Sequence, residues 1–313
     1  MLDTPVALIV FNRPRTTARI VEAIRAAKPS RLFVIADGAR PGHASDAEQC
    51  AAARATVDQA DWPGEVCKHY AEGNLGIDRR GRSGFDWLFA QVDRAIILED
   101  DCLPDLTFFP FCGQLLERYA LDERVAMICG TNSLGRWRAG AQSYHFSSHG
   151  CHWGWATWRR AWRLFGPRMQ EGESDVWDVK WSALQRLAER LAIVPAVNLV
   201  SNIGFGPQGA HTHVFTLGSN MVRYEMPFPL RHPTAVAADT EFDREYLAWR
   251  AGKPGIESLT ARVEEQIEAK RFALALLLAE AGLRCGIAAT EEACAGLEEL
   301  KEQAWKGLGA RRR

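Results

Sequence analysis

The chain carries almost no net charge and has no apolar run long enough to cross a membrane. Its 313 residues sum to a formal charge of −1 at pH 7, whereas a nucleic-acid-binding surface would show as a basic excess. The longest apolar stretch near the end, 272–278, is far shorter than the roughly 20 residues that a bilayer-spanning helix requires. We therefore expect neither a general nucleic-acid partner nor a transmembrane segment.

Paired cysteines and a phosphate-binding loop are also absent. The 8 cysteines are scattered without C-x-x-C pairs, which argues against a zinc cluster and a compact disulfide framework and predicts reduced thiols. No G-x-x-x-x-G-K-[ST] motif occurs, so phosphates are not held by a P-loop. The amino terminus, residues 1–5, has neither the basic nor the apolar region of a signal peptide. We expect a cytoplasmic protein.

The first third of the chain alternates strand-like and helix-like segments. Short apolar runs predict strands, and segments with apolar residues on one face predict helices. The predicted strands are 6–11, 31–36, 66–70 and 95–98, and the predicted helices are 16–27, 44–60 and 82–91. Because this alternation is typical of parallel strands joined by crossover helices, we expect an α/β fold with a Rossmann-like, mostly parallel sheet flanked by helices.

Three consecutive carboxylates, Glu99, Asp100 and Asp101, follow the last of these strands. Adjacent negative charges repel one another by about 1 kcal/mol per close pair even in water, and a cation would offset that repulsion. Mg²⁺ and Mn²⁺ suit oxygen ligands of this kind and leave coordination positions for the phosphate oxygens of a nucleotide. A solvated acidic loop is the alternative, and the triplet alone does not separate the two.

Polar residues also follow two other predicted strands. Asn12 and Arg13 come directly after the first strand, and Asp37 comes directly after the second. Open α/β sheets bind their ligands at the carboxyl ends of the strands. The sequence therefore predicts a binding site at this edge of the sheet.

Tryptophan is concentrated in the middle of the chain, where Trp137–Trp181 contains seven of the 11 tryptophans. Indole rings suit sugar-binding walls, but they also suit plain core packing. Trp155, Trp158 and Trp162 have helical spacing and are predicted to lie in the core. Trp153 lies in a loop-like context and is the better candidate for a ligand wall.

A second acidic segment precedes a predicted helix whose apolar face includes Trp177 and Trp181. Asp178 lies in the first turn of that helix, where the helix dipole favours an ionised carboxylate. An ionised carboxylate at the edge of a pocket can act as a general base. Helix capping is the alternative role for Asp178, and more so for Asp175.

Several of these segments together resemble glycosyltransferases of the GT-A fold, family 2-like, that use nucleotide-diphospho-sugars. The resemblance covers roughly residues 5–235. It rests on Asn12-Arg13-Pro14, Ala36-Asp37-Gly38, the Asn74-Leu75-Gly76 loop with Arg79 and Arg80, and Leu98-Glu99-Asp100-Asp101. Phe108-Phe109, Trp153-Gly154-Trp155 and Trp177-Asp178 are similar in order to the N-acetylglucosaminyltransferase I type of this fold.

The resemblance implies a donor site around the acidic triplet. Asp101 would ligate Mn²⁺ or Mg²⁺, while Glu99 and Asp100 would contact ribose and sugar hydroxyls. Asp37 would contact the base or the ribose. The other donor-binding residues would be Asn12, Arg13, and Arg79 or Arg80. A UDP-sugar is the favoured donor.

The resemblance also implies an acceptor side. Trp177 would form an aromatic wall, and Asp178 would take the proton from an acceptor hydroxyl as it attacks the anomeric carbon, with inversion. The relative has a second acid after its base, whereas Val179 follows Asp178 here. Asp175 therefore stays an alternative base.

A glycine-rich segment later in the chain has two interpretations. Residues 204–209 formally match the dinucleotide-binding glycine pattern, but Pro207 and the loop-like sequence after it do not open a helix, so we reject that function. The resemblance instead implies that 201–213 forms a flap over the donor. His211 or His213 would then reach the diphosphate.

The resemblance does not extend to the carboxyl-terminal part. We expect a catalytic domain over 1–250 and a helical extension over 251–313, in which 257–281 and 290–306 are amphipathic helices. These helices could pack on the catalytic domain, form a homodimer, or contact the inner face of a membrane. The three arginines at 311–313 are too few to favour the membrane.

The sequence thus predicts a metal-dependent glycosyltransferase that moves a sugar to a hydroxyl on a glycan, glycolipid or protein. A sugar-phosphate nucleotidyltransferase is the first alternative, although that class carries a glycine-rich loop after the first strand, and Asn12-Arg13-Pro14-Arg15 has no glycine. A non-catalytic nucleotide-sugar-binding protein is the second alternative. It would have no use for clustered carboxylates.

Overall fold

The computed structural model describes residues 2–170, 176–205, 220–250, 255–284 and 290–310. The chain divides into two compact units. The first unit consists of Met1–Asn132 and Arg138–Ala238, and the second consists of Ser133–Trp137 and Asp239–Arg313.

The amino-terminal part of the first unit alternates strands and helices, as the hydrophobic pattern predicts. The elements are β1 (Val6–Val10), α1 (Pro14–Ala27), β2 (Arg31–Ala36), α2 (Asp46–Asp58), β3 (Glu65–Tyr70), α3 (Gly76–Gln91) and β4 (Arg94–Glu99). Helix α1 begins at Pro14, whose missing N–H costs nothing in the first turn. It buries Thr17, Ile20, Val21 and Ile24, the helical spacing expected for one core-facing stripe.

The remainder of the first unit is less regular. Its elements are β5 (Cys102–Pro104), α4 (Phe108–Arg118), β6 (Val125–Cys129), β7 (Tyr144–Ser147), β8 (Trp155–Trp158), α5 (Arg159–Phe165), a 3₁₀ helix (Gly166–Gln170), α6 (Trp177–Leu187), β9 (Leu191–Pro195) and β10 (Val200–Asn202). The helical spacing inferred for Trp155 and Trp158 is wrong, because both lie in strand β8. Their placement in the core is confirmed, since all four residues of β8 are buried.

Eight strands form one sheet in the order β3-β2-β1-β4-β8-β6-β9-β7. Strands β1 to β4 pair in parallel, β8 runs antiparallel to both β4 and β6, and β9 is parallel to β6. Strands β5 and β10 form a separate antiparallel pair. The predicted fold class is confirmed: a large, mostly parallel sheet is flanked by helices.

The register of the parallel strands brings their carboxyl ends together. Ile9 of β1 pairs with Ile35 of β2 on one side and with Glu99 of β4 on the other. The residues that follow these strands therefore share one edge of the sheet. Strand β4 itself is buried from Ala95 to Leu98, so the acidic triplet begins directly at the end of a core strand.

The described residues of the second unit form the helices α7 (Thr240–Arg250), α8 (Ile256–Glu268), α9 (Phe272–Arg284) and α10 (Glu291–Ala310). The single helix predicted over 257–281 is two helices, because the chain turns at Lys270, which has a φ of 56°. Helix α9 packs against both α8 and α10. Residue 250, the expected domain boundary, is the last residue of α7. None of the helices in the described parts of the chain is both long and apolar enough to span a bilayer.

Candidate functional site

A cavity of about 520 Å³ opens at the carboxyl ends of β1, β2 and β4. The start of α3 and one side chain of α6 complete its wall. Seven residues that the sequence predicts as site residues line it: Arg13, Asp37, Arg79, Arg80, Glu99, Asp100 and Trp177. Side chains that are up to 164 positions apart in the sequence are therefore brought to one cavity.

Asp37 organises one wall of this cavity. Its Oδ1 accepts hydrogen bonds from the backbone N–H groups of Gly38 and Leu75, both at 2.9 Å. Its Oδ2 accepts from the Asn74 amide and the Gly76 N–H, both at 3.0 Å. Two of these donors lie at the start of α3, where N–H groups have no partner within the helix. Helix α3 therefore begins at Gly76, six residues before its predicted start at 82.

The two loops that Asp37 joins are in close contact. A Cβ atom on Gly38 would lie 2.5 Å from the Gly73 carbonyl carbon, so only glycine fits at this position. The acceptor capacity of the Asp37 carboxylate is filled by the four N–H donors. These hydrogen bonds give Asp37 a structural role, and its expected contact to a base or ribose stays a prediction.

The acidic triplet is paired with an arginine from the loop after β1. Arg13 Nη1 lies 3.3 Å from Asp100 Oδ1 and also contacts Asp101 Oδ2. The Asp100 and Asp101 side chains are 6% and 7% exposed, and the Arg13 side chain is 19% exposed. Asp100 also accepts the Phe11 N–H at 2.8 Å. Two buried carboxylates therefore converge on one cationic nitrogen.

Burial shifts the pKa values of this cluster. Loss of solvent raises the pKa of Asp100 to about 6, against the opposing effect of the Arg13 charge. The pKa of Glu99 lies well above its usual range because of burial, with further increases from Asp101, Asp178 and Asp100 in that order. The pKa of Arg13 is raised, because the nearby carboxylates outweigh its own burial. The cluster therefore has more negative charge than Arg13 alone neutralises.

Asp178 lies in electrostatic contact with the triplet although it comes from helix α6. Its charge contributes more to the raised pKa of Glu99 than that of Asp100 does. The Asp178 carboxylate accepts the Val179 N–H at 2.8 Å, and the side chain is half-buried. Asp178 therefore lies close enough to the triplet to act on it electrostatically, and its role as the base stays a prediction. It does not line the cavity.

An aromatic cluster holds the start of α6 in place. Trp177 stacks on Trp155 with ring centroids 5.7 Å apart and contacts Phe85 edge-on at 5.0 Å. His152 packs edge-on against Trp155 and Trp177, at 5.0 Å and 5.1 Å. Burial lowers the pKa of His152 to about 4, against the opposing charge of Asp178. The sequence did not single out His152, because only the tertiary fold brings its ring between these indoles.

The structure separates Arg79 from Arg80. Arg80 is buried, and its guanidinium contacts the His69 carbonyl and lies 3.2 Å from His69 Nδ1 and from Ser83 Oγ. Arg79 is exposed and has no hydrogen-bond or ion-pair partner among the described residues. Arg79 is therefore the arginine of this pair that is available to an anionic ligand.

A buried acid that the sequence missed supports the other wall. Asp46 of α2 accepts hydrogen bonds from the Asn12 amide at 2.9 Å and from Arg40 Nε at 2.6 Å. These bonds hold the pKa of Asp46 well below its usual range. Arg40 lines the cavity and lies over the Phe11 ring, 5.4 Å from its centroid. Asn12 thus positions the wall through Asp46, and its side chain does not line the cavity.

The remaining candidates lie away from the cavity or outside the described residues. Trp153 is half-buried and packs edge-on against Phe205, with ring centroids 5.6 Å apart. Asp175, His211 and His213 lie outside the residues that the structure describes.

Two carboxylates of the triplet suit a divalent cation that is shared with a phosphate-bearing ligand. Among the described residues, no group of three or more His, Cys, Asp or Glu side chains is arranged to hold a metal ion. However, Asp100 Oδ1 and Asp101 Oδ2 already face one cationic atom. Mg²⁺ is commonly held by one or two carboxylates, with phosphate oxygens and water as its other ligands. Asp100 and Asp101 match that pattern. Gly204 lies against Asp101, because a Cβ atom at position 204 would collide with the Asp101 carboxylate.

No protein-family model and no curated protein matches this chain. Among solved structures, UDP-glucose pyrophosphorylase in complex with UDP-glucose is similar at 8% identity, with a TM-score of 0.39 over 64% of this chain and 93% of that one. A 4-diphosphocytidyl-2C-methyl-D-erythritol synthase from Anaerococcus prevotii is similar at 10% identity, with a TM-score of 0.41 over 63% and 90%. Similarity at this level supports no inference about activity.

Proposed function

We propose that this chain is a transferase that binds a nucleotide-diphospho-sugar and moves the sugar to a hydroxyl acceptor. The cavity combines Arg79, a cation that pairs with no other described residue, with a cluster of carboxylates at the ends of parallel strands. An arginine suits the phosphates of a nucleotide, and carboxylates suit sugar and ribose hydroxyls. A nucleotide sugar carries both phosphates and sugar hydroxyls, so it matches both kinds of side chain.

The observation that carries the proposal is the position of Asp178, which directly follows Trp177 of the cavity wall in the first turn of α6. It lies on a different element from the triplet and still acts on Glu99. A hydroxyl acceptor must lose its proton as it attacks, and a positioned general base contributes about 10²–10⁴ in rate. We assign that proton to an Asp178 carboxylate oxygen. Attack from the side opposite the leaving diphosphate would invert the anomeric centre.

The triplet serves the leaving group in this proposal. Asp100 and Asp101 would hold Mn²⁺ or Mg²⁺, which would neutralise the charge that develops on the nucleoside diphosphate. The Arg13 guanidinium would then be free to contact the phosphates. Trp177, buried against Phe85 and Trp155, would form a rigid wall of the site.

A sugar-phosphate nucleotidyltransferase is the second candidate. Arg13 favours it, because this basic residue lies in the loop after β1 and lines the cavity, as a triphosphate substrate would require. The sugar phosphate that attacks in that reaction is already ionised, so no base is needed. Asp178 therefore separates the two candidates.

Two product assays would test the proposal. We would incubate the protein and Mn²⁺ with UDP-, GDP-, CDP- or dTDP-sugars and hydroxyl acceptors, and measure the nucleoside diphosphate released. A parallel reaction with a nucleoside triphosphate and a sugar 1-phosphate would measure pyrophosphate. Melting shifts would report binding, since a ligand at 100 times its Kd adds about 2.7 kcal/mol.

Asp178→Asn should lower diphosphate release on the order of 100-fold or more and leave the donor-induced melting shift unchanged. Asp61→Asn, which removes an exposed aspartate elsewhere, is the matched control and should have no effect. If Asp178→Asn turns over within a few-fold of wild type, Asp178 is not the base. Pyrophosphate release that is insensitive to Asp178→Asn would establish the second candidate. Binding without either product would indicate a non-catalytic binding protein.

A further inference from the structure

A second cavity, of about 700 Å³, lies at the opposite edge of the central sheet. It is bounded by Pro5, which precedes β1, and by Arg94, the first residue of β4. Glu99 of the first cavity is the last residue of the same strand. Five residues of extended chain span about 17 Å, so the two cavities open at opposite ends of the strand.

The lining of this second cavity is strongly basic. Among the ten described residues that line it, four are arginines, namely Arg94, Arg159, Arg160 and Arg163, and one, Asp93, is a carboxylate. The whole chain has a net charge of only −1. Four guanidinium groups around one cavity repel one another, so their convergence calls for an anion.

Two of the four arginines are held by exposed acids. Arg94 pairs with Glu117, which is 71% exposed, and Arg159 pairs with Asp93 at 3.0 Å, whose side chain is 87% exposed. Surface pairs of this kind contribute about 0–1 kcal/mol and are screened by salt. These acids therefore offset little of the positive charge, and an incoming anion can compete with them.

Arg160 supplies a fixed cation in the lining of the cavity. Its guanidinium lies 4.3 Å from the Trp158 ring centroid, and it donates to the carbonyls of Tyr119, Ala120 and Val125 at 2.9–3.0 Å. Carbonyls orient the group without neutralising its charge. Burial lowers the pKa of Arg160, against the opposing charges of Asp122 and Glu123.

Arg163 differs from the other three arginines in its contacts. It lies in the last turn of α5, its side chain is exposed at the cavity, and it has no hydrogen-bond or ion-pair partner in the described parts of the chain. Guanidinium groups bind phosphate in a planar, two-pronged geometry. An arginine whose donors bind no other described residue, beside a fixed arginine, is suited to that ligand.

We propose that this basic cavity, formed by Arg94, Arg159, Arg160 and Arg163, is a binding site for a phosphate-bearing anion, separate from the site at the carboxyl ends of the strands. The ligand chemistry is that of an oligophosphate or of a phosphorylated lipid headgroup. Both present several phosphate oxygens to arginines, and the cavity is large enough for more than one phosphate.

Titration calorimetry with tripolyphosphate, and co-sedimentation with phosphatidylcholine vesicles that do or do not contain phosphatidic acid, would test the site. Arg163→Gln should weaken the affinity for the probe that binds by about tenfold, the loss expected for one charged hydrogen-bonding group. Arg168→Gln, which removes an exposed arginine outside the cavity, is the matched control and should bind like wild type. Higher salt should weaken binding.

The variant Arg79→Gln tests whether tripolyphosphate binds in the first cavity instead. Tripolyphosphate binding that falls in Arg79→Gln but not in Arg163→Gln would belong to the first cavity and would overturn the proposal. Equal binding by Arg163→Gln and Arg168→Gln, or no binding of either probe by wild type, would overturn it as well. Loss of tripolyphosphate binding in Arg163→Gln identifies a soluble phosphate ligand, and loss of vesicle binding alone identifies a lipid headgroup.

Discussion

Removal of the Arg13 charge should destabilise the protein, because it leaves the acidic triplet without a cation. Arg13→Gln keeps a polar side chain but leaves Asp100 and Asp101, 6% and 7% exposed, without their cation. Breaking a buried ion pair from one side costs about 3–5 kcal/mol, because a buried charge is left uncompensated. Arg13 itself is 19% exposed, so we expect a loss at the lower end, about 3 kcal/mol.

Urea unfolding at pH 7.5 would measure this loss. Arg31→Gln is the matched control, because Arg31 pairs with Glu65 at 2.9 Å where the side chains are 34% and 60% exposed. An exposed pair of this kind contributes about 0.2–1 kcal/mol. A loss in Arg13→Gln no greater than that in Arg31→Gln would refute the argument that the triplet needs a cation.

Two further measurements sharpen the test. The loss should shrink at pH 5, because Asp100, with a pKa of about 6, is then largely protonated and needs no counter-charge. Mn²⁺ should raise the melting temperature of Arg13→Gln more than that of wild type, since the metal would take the place of the guanidinium. In a double-mutant cycle, Asp101→Asn should recover part of the loss.

Three other perturbations have defined outcomes. The folded pKa of His152, about 4, lies below the unfolded value near 6.5, so the unfolded state binds more protons between these pH values. Wild type should therefore lose about 2 kcal/mol of unfolding free energy from pH 7.5 to 5, as measured by urea unfolding. His152→Phe should abolish this loss. Gly38→Ala should cost about 1–3 kcal/mol by collision with the Gly73 backbone, whereas Gly73→Ala, with no atom within 4 Å of its added Cβ, should be tolerated. Asp37→Asn leaves one acceptor oxygen for four N–H donors and should cost about 1–3 kcal/mol; a smaller loss in thermal or urea unfolding would contradict its structural role.

Local patterns predicted the first half of the fold well. The strands β1 to β4 differ from their predicted bounds by at most one residue at either end, because each is a short apolar run with polar residues on both sides. The start of α3 was missed, since it depends on Asp37, 39 positions earlier than Gly76. The spacing of Trp155 and Trp158 wrongly predicted a helix. Strand β8 lies between two neighbouring strands, and such a buried strand also carries large apolar residues on both faces.

The candidate site shows the same division between local and tertiary information. The triplet is visible in the sequence because three adjacent carboxylates after an apolar run are costly wherever they lie. Its present cation, Arg13, was predicted to face a ligand, and the 87 positions between it and Asp100 hide the ion pair from any local pattern.

Arg13 has two roles in this proposal: it stabilises the acidic triplet, and it contributes to ligand binding. A cation is already needed when no ligand is bound, because burial raises the pKa values of Glu99 and Asp100 even with Arg13 in place. A divalent ion that arrives with a diphosphate would satisfy the carboxylates and release the guanidinium toward the new negative charge of the phosphates. Arg13 would then hold the site together before binding and contribute to binding afterwards. Its replacement should therefore weaken nucleotide binding and, at the same time, increase the stabilisation that the metal alone provides.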